Sequence, residues 1–83
     1  MNEAQLLNRA TVVLIQLRMQ HNYTQLFVAN ELDLNISAYS RIESGKQKLT
    51  LTNLFRLSRL YSMSVTDIVA LIETEGVNLK KAV

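Results

Sequence analysis

The sequence contains no cysteine, which excludes a disulfide framework and any zinc site built on thiolates. It has one histidine, His21, which cannot build a metal site unaided. Its two glycines, Gly45 and Gly76, are too few for a glycine-rich loop that cradles phosphates. No stretch approaches the roughly 18 uninterrupted apolar residues of a membrane span, so no membrane association is expected. The N-terminal MNEAQLLNRA carries Glu3 ahead of its apolar positions and no cleavage signature. That argues against a secretory signal and makes the cytoplasm the expected location. Paired carboxylates at active-site spacing are also missing. Glu73 and Glu75 are two apart and diverge on a helix, while Ser37 and Ser40 have no activating base nearby in sequence. The chain is expected not to be an enzyme, and no cofactor or metal is implied.

What is present fits one small ordered domain. Eighty-three residues, 48% of them apolar, suffice for a single modest core and contain no low-complexity run. The net charge is only +2, but its distribution is uneven. Between residues 35 and 59, Arg41, Lys46, Lys48, Arg56 and Arg59 face Glu43 alone, whereas each flank carries one more acid than base. The positive potential belongs to the middle third, where a polyanion would dock. Cations solvating an ordinary helix would give the same tally.

The hydrophobic spacing predicts helices throughout, and the absence of proline is consistent with that. Ala4, Leu7, Ala10, Leu14 and Leu17 trace one face of a first helix, widened by Val12, Val13 and Ile15 and ended by His21-Asn22. Thr24 caps a second, Gln25 to about Leu32, with Tyr23 placed to staple the entering chain. Leu26, Phe27, Val28, Ala29 and Leu32 crowd that short helix with apolar residues, so it is expected to be well buried. Asn35 caps a third helix, Ile36 to Glu43, which Ser44-Gly45 stops through a left-handed glycine. Thr50 caps a fourth over Leu51–Leu60. Ser64 caps a fifth, with Asp67 completing a weaker capping box.

The third helix is the odd element. Tyr39 and Ile42, with Ala38 beside them, are its natural inward residues, while Ile36, Ser37, Ser40 and Arg41 lie opposite. A helix that short is marginal in water, so its neighbours must hold it while it presents its other face. A compact helix held that way can enter the DNA major groove.

TQLFVANELDLNISAYSRIESGK resembles the helix-turn-helix of the phage lambda repressor and Cro (XRE-like) family. The resemblance lies in Thr24-Gln25, Val28-Ala29, Leu32, Leu34, Ser40-Arg41-Ile42-Glu43 and Gly45-Lys46, and extends over roughly Leu14 to Leu71. It implies an all-α, compact five-helix lambda-repressor-like DNA-binding domain over residues 1–72. The helix-turn-helix proper occupies about 24–44, and residues 73–83 form a C-terminal extension. The implied function is sequence-specific binding of double-stranded DNA by a small transcriptional regulator, a repressor acting as a homodimer on a palindromic operator.

By that resemblance, Ile36, Ser37, Ser40 and Arg41 face the bases. Arg41 suits a bidentate contact to guanine, against the alternative of an intramolecular pair with Glu43 or another carboxylate. Thr24, Gln25, Lys46 and Lys48 are placed at the phosphates, positioning rather than specifying. Without the resemblance, Gln25 would read as a plain solvated side chain and the two lysines as a solvated loop. Tyr39 is expected to pack its ring inward with its hydroxyl reaching outward, and Glu43 to turn toward an arginine such as Arg18. Asp33 stands where the family commonly has a glycine, at a position that often needs positive φ. Ile36 stands where Gln, Arg or Lys is usual; it can touch a thymine methyl or serve a protein contact.

The long first helix, with surplus apolar residues Leu6, Val12 and Ile15, and the segment Ile72 to Val83 are the candidate faces for a second subunit. The tail after Gly76 restarts an apolar pattern with Val77, Leu79 and Val83. It reads equally as a short extra helix, a frayed end or a segment that captures a protein partner. The competing function is a protein-interaction module, antitoxin-like, on the same scaffold with weak DNA affinity.

Overall fold

The computed structural model describes residues 1–74, and these form five helices and no strand. They are α1 (Glu3–Gln20), α2 (Gln25–Glu31), α3 (Ile36–Glu43), α4 (Leu51–Leu60) and α5 (Val65–Glu73). The expected extra helix and partner-binding tail fall in residues 75–83, outside the described part.

Every helix starts on a side-chain cap. Asn2, Thr24, Asn35, Thr50 and Ser64 each accept a hydrogen bond from the backbone N–H three residues on, satisfying a donor the first turn would leave unpaired. Ser64 and Asp67 form the expected reciprocal box, and Asn2 and Gln5 form a second one. The helix ends are equally uniform. After α1, α2, α3 and α4 the chain turns through a residue of positive φ: Asn22 (57°), Asp33 (59°), Gly45 (78°) and Ser62 (53°). In each case the next amide reaches back across the last turn, as Tyr23 N–H does to Arg18 C=O, Leu34 to Ala29, Lys46 to Arg41 and Met63 to Ser58. This is the Schellman arrangement. Three of the four stops use a residue that bears a Cβ, at a cost of about 1 kcal/mol each.

The core is built from Val13, Leu14 and Leu17 of α1, Val28, Ala29 and Leu32, Tyr39 and Ile42 of α3, Leu57 and Tyr61, and Ile68, Leu71 and Ile72 of α5. Tyr23, Leu34 and Met63, each just past a helix stop, fold their side chains back onto it. α2 packs on α3, and α1 crosses both α3 and α5, so the thin inner stripe of α3 is covered by the longest helix.

Two expectations are corrected. α2 is not well buried: Leu26 and Phe27 expose 52% and 40% of their surface. A seven-residue helix has room for one inward row, here Val28, Ala29 and the capping Leu32. Phe27 is partly shielded by the Tyr23 ring at 4.5 Å. The Tyr39 hydroxyl does not reach outward either. The whole side chain is buried and its oxygen ends inside the protein beside Glu43, because α1 closes over that side of α3. Of the apolar residues expected to be surplus, Leu6 and Val12 are exposed and Ile15 is half-buried.

Candidate nucleic-acid interface

α2 and α3 are joined by the four residues Leu32–Asn35. Leu32 closes α2, Asp33 turns through positive φ as its position suggested, and Leu34 tucks under as its amide bonds Ala29 C=O at 2.9 Å. Asn35 then caps α3 with a 2.7 Å bond from Ala38 N–H. Arg56 of α4 secures the turn from outside, its Nη1 donating to Leu32 C=O at 2.7 Å.

The relation between the two helices and α1 is set by one carboxylate. Glu43, at the last residue of α3, is 3% exposed. It accepts from Arg18 Nε at 2.8 Å and Nη2 at 3.0 Å, a two-pronged pairing, and from Gln25 Nε2 at 3.2 Å. Arg18 Nη1 also donates to Tyr23 C=O at 3.0 Å. The end of α1, the turn before α2, the start of α2 and the end of α3 thereby share one cluster. Burial alone would push the Glu43 carboxyl up. Arg18, the adjacent Tyr39 hydroxyl and Gln25 more than offset it, and the group lies below the ordinary carboxylate value. Arg18 is correspondingly held further in its charged form. Burial, with Glu43 nearby, pushes the Tyr39 and Tyr61 phenols upward. Neither hydroxyl finds a well-aligned hydrogen-bond partner.

With Glu43 turned inward, α3 shows Ile36, Ser37 and Arg41 as exposed residues and Ser40 as half-buried, a ridge at spacings of one and four along one face. Among the described residues Arg41 pairs with no carboxylate; its Nε donates to the neutral Gln47 Oε1 at 3.1 Å. Gln47, in the loop after α3, carried no sequence signal beyond lying between two lysines. Lys46 follows Gly45 and is exposed, as is Lys48, whose Nζ lies 2.8 Å from Glu3 of α1. At the other end of the motif, Thr24 spends its hydroxyl on Phe27 N–H at 3.0 Å. Gln25 is half-buried with one amide hydrogen on Glu43, and its second amide hydrogen is the donor available to an outside anion. The residues expected to face bases thus occupy one helix face, while those expected at the phosphates divide between the start of α2 and the loop after α3.

Among the described residues there is no group of three or more His, Asp or Glu side chains that could hold a metal. No described helix is long and apolar enough to cross a membrane.

Two short helices joined by a tight turn, the second braced by a third helix and offering a polar and cationic ridge, define a helix-turn-helix protein. A model of the helix-turn-helix family matches residues 14–68, and the chain belongs to that family. No curated protein and no solved structure shows a significant match to it. The family supports a DNA-binding, regulatory role.

Proposed function

We propose that the protein is a sequence-specific regulator of the lambda repressor and Cro type, a repressor that binds a palindromic operator as a homodimer. The observation that carries this is electrostatic. From Leu34 to Thr66 the sole acidic residue is Glu43, and it is buried against Arg18. The surface of that segment therefore displays Arg41, Lys46, Lys48, Arg56 and Arg59 without a carboxylate of its own, a field that favours a polyanion. Among the described residues Glu3 of α1 reaches in to Lys48, and Glu31 of α2 lies beside Arg56 and Arg59.

On this reading α3 lies in the major groove. Arg41 takes a guanine edge, Ser37 and Ser40 bond to base edges or phosphates, and Ile36 covers a thymine methyl. Thr24, Gln25, Lys46 and Lys48 hold the flanking phosphates and fix the register. A second copy places its own α3 one helical turn away. A second reading, as a protein-interaction module, is favoured by Ile36, an apolar side chain 44% exposed at the head of that ridge.

Selection from a random-sequence duplex library separates the two. A DNA reader enriches one palindromic site, and Arg41→Ala weakens binding to it by about 1–3 kcal/mol while relaxing one position. A weak interaction that collapses with salt and enriches nothing would leave only the backbone term, and the interaction module would replace the DNA reader.

A further inference from the structure

The DNA reading gives Gln47 no task, yet its side chain holds the residue on which base readout depends. Gly45, at φ 78°, turns the chain back across the end of α3. The amides of Lys46 and Gln47 then both donate to Arg41 C=O, at 2.9 and 3.1 Å. Ser44 Oγ donates to the same carbonyl at 3.1 Å. The backbone of the loop is thus fastened to residue 41 itself. From that fixed base the half-buried Gln47 side chain accepts from Arg41 Nε at 3.1 Å.

The chemistry of this contact is directional. An arginine Nε–H can only donate, so the amide oxygen of Gln47 faces it and the amide nitrogen turns away. The bond takes Nε and leaves the two Nη groups, the pair whose spacing matches O6 and N7 of guanine. An exposed arginine with no such hold loses rotamer freedom each time it meets a base, and one held beforehand has less to lose. The acceptor is also neutral. A carboxylate in the same place would hold the guanidinium more firmly but would repel phosphates.

We propose that Gln47 is a positioning residue for base readout: it orients the Arg41 guanidinium so that the Nη edge meets the guanine, and thereby sets discrimination at that base pair. This rests on the reading of α3 as the DNA-facing helix.

The test is the ratio of affinities for the preferred site and for the same site changed at the base pair that Arg41→Ala identifies. Gln47→Ala should lower that ratio about three- to tenfold. The urea midpoint, the non-specific affinity and its salt slope should stay at wild-type values. In the Arg41→Ala background the same change should lower the ratio no further. Gln47→Glu is the rescue: its oxygen still holds Nε, so the ratio is kept, while its charge weakens binding to all sequences alike. In the free protein, the Arg41 Nε–H signal should exchange slowly with water and lose that protection in Gln47→Ala. An unchanged ratio in Gln47→Ala, with Arg41→Ala still abolishing the preference, overturns the positioning role and leaves the DNA reading standing. A uniform loss across sequences makes Gln47 a phosphate contact and overturns it too. A library that enriches no site removes the DNA reading, and the proposal with it, whatever the Nε–H signal shows.

Discussion

Two ion pairs in this protein have the same length and opposite meanings. Arg18–Glu43 and Lys48–Glu3 both close at 2.8 Å. The first has side chains 18% and 3% exposed; the second, 77% and 65%. In the buried pair the carboxylate has lost its water and must be satisfied by protein, so it recruits Arg18 twice and Gln25 once and becomes a joint between three helices. In the exposed pair both ions keep most of their hydration, salt screens them, and long side chains lose freedom by meeting. Distance therefore says little about what a pair contributes. The first pair is architecture, while the second holds a cation that can be given up.

The largest test breaks the buried pair. Glu43→Ala leaves Arg18 without its counter-ion and Gln25 without its acceptor, and should cost about 3 kcal/mol in urea unfolding. That is discounted from the fully buried case because Arg18 keeps some contact with water. Replacing both ions with apolar residues should recover much of the loss. A cost no larger than that of Glu3→Ala would show that burial makes no difference here. Gln25→Ala, which removes one of three bonds to the carboxylate, should cost about 1–2 kcal/mol.

Titration sharpens the same contrast. The folded Glu43 carboxyl lies below its ordinary value of 4.5. Its stabilisation is thus complete above that value and is lost as pH falls through the lower, folded one. Tyr39 and Tyr61 act in the opposite sense. Their phenols are raised above an ordinary 10.0, so the stability they contribute is intact below that pH and declines as pH climbs beyond it. Unfolding followed against pH should show both limbs. The acid limb should flatten in Glu43→Gln and persist in Glu3→Gln.

The same difference explains what could be read from the sequence. Thr24, Asn35, Thr50 and Ser64 were legible as caps because an N-cap interacts with an amide three residues away, and its chemistry is local. Asp33 was legible as a positive-φ residue through the family pattern, and Glu43 as a partner for an arginine such as Arg18 because a carboxylate facing DNA would be repelled. The face of α3 followed from Tyr39 and Ile42 pointing inward. What needed three dimensions was less visible. Nothing near Leu26 and Phe27 in sequence says that α2 has room for a single inward row. Nothing near Tyr39 says that α1 covers its hydroxyl. Lys48 and Glu3 lie forty-five positions apart, and Arg56 meets Leu32 across a separate helix; such contacts exist only once α1 and α4 have packed. Among the residues expected to contact DNA, the exposure of Thr24, Ile36, Ser37, Arg41, Lys46 and Lys48 was readable, but the internal tie of Gln25 to Glu43 was not.

The smallest expected effect on stability is also the most informative about use. Lys48→Ala should leave the urea midpoint unchanged, since its pair with Glu3 is solvated at both ends. If that cation is the one lent to DNA, the same substitution lowers the slope of log affinity against log salt by about 1 and weakens binding uniformly across sequences. Glu3→Gln should do the reverse, strengthening binding at low salt with no change in sequence preference, because it removes the carboxylate that pairs with Lys48 and competes with phosphate for it. A stability loss in Lys48→Ala comparable with that in Glu43→Ala would erase the distinction between the two pairs. An unchanged salt slope would keep the distinction but remove Lys48 from the interface, leaving Lys46 and the first turn of α2 as the phosphate contacts.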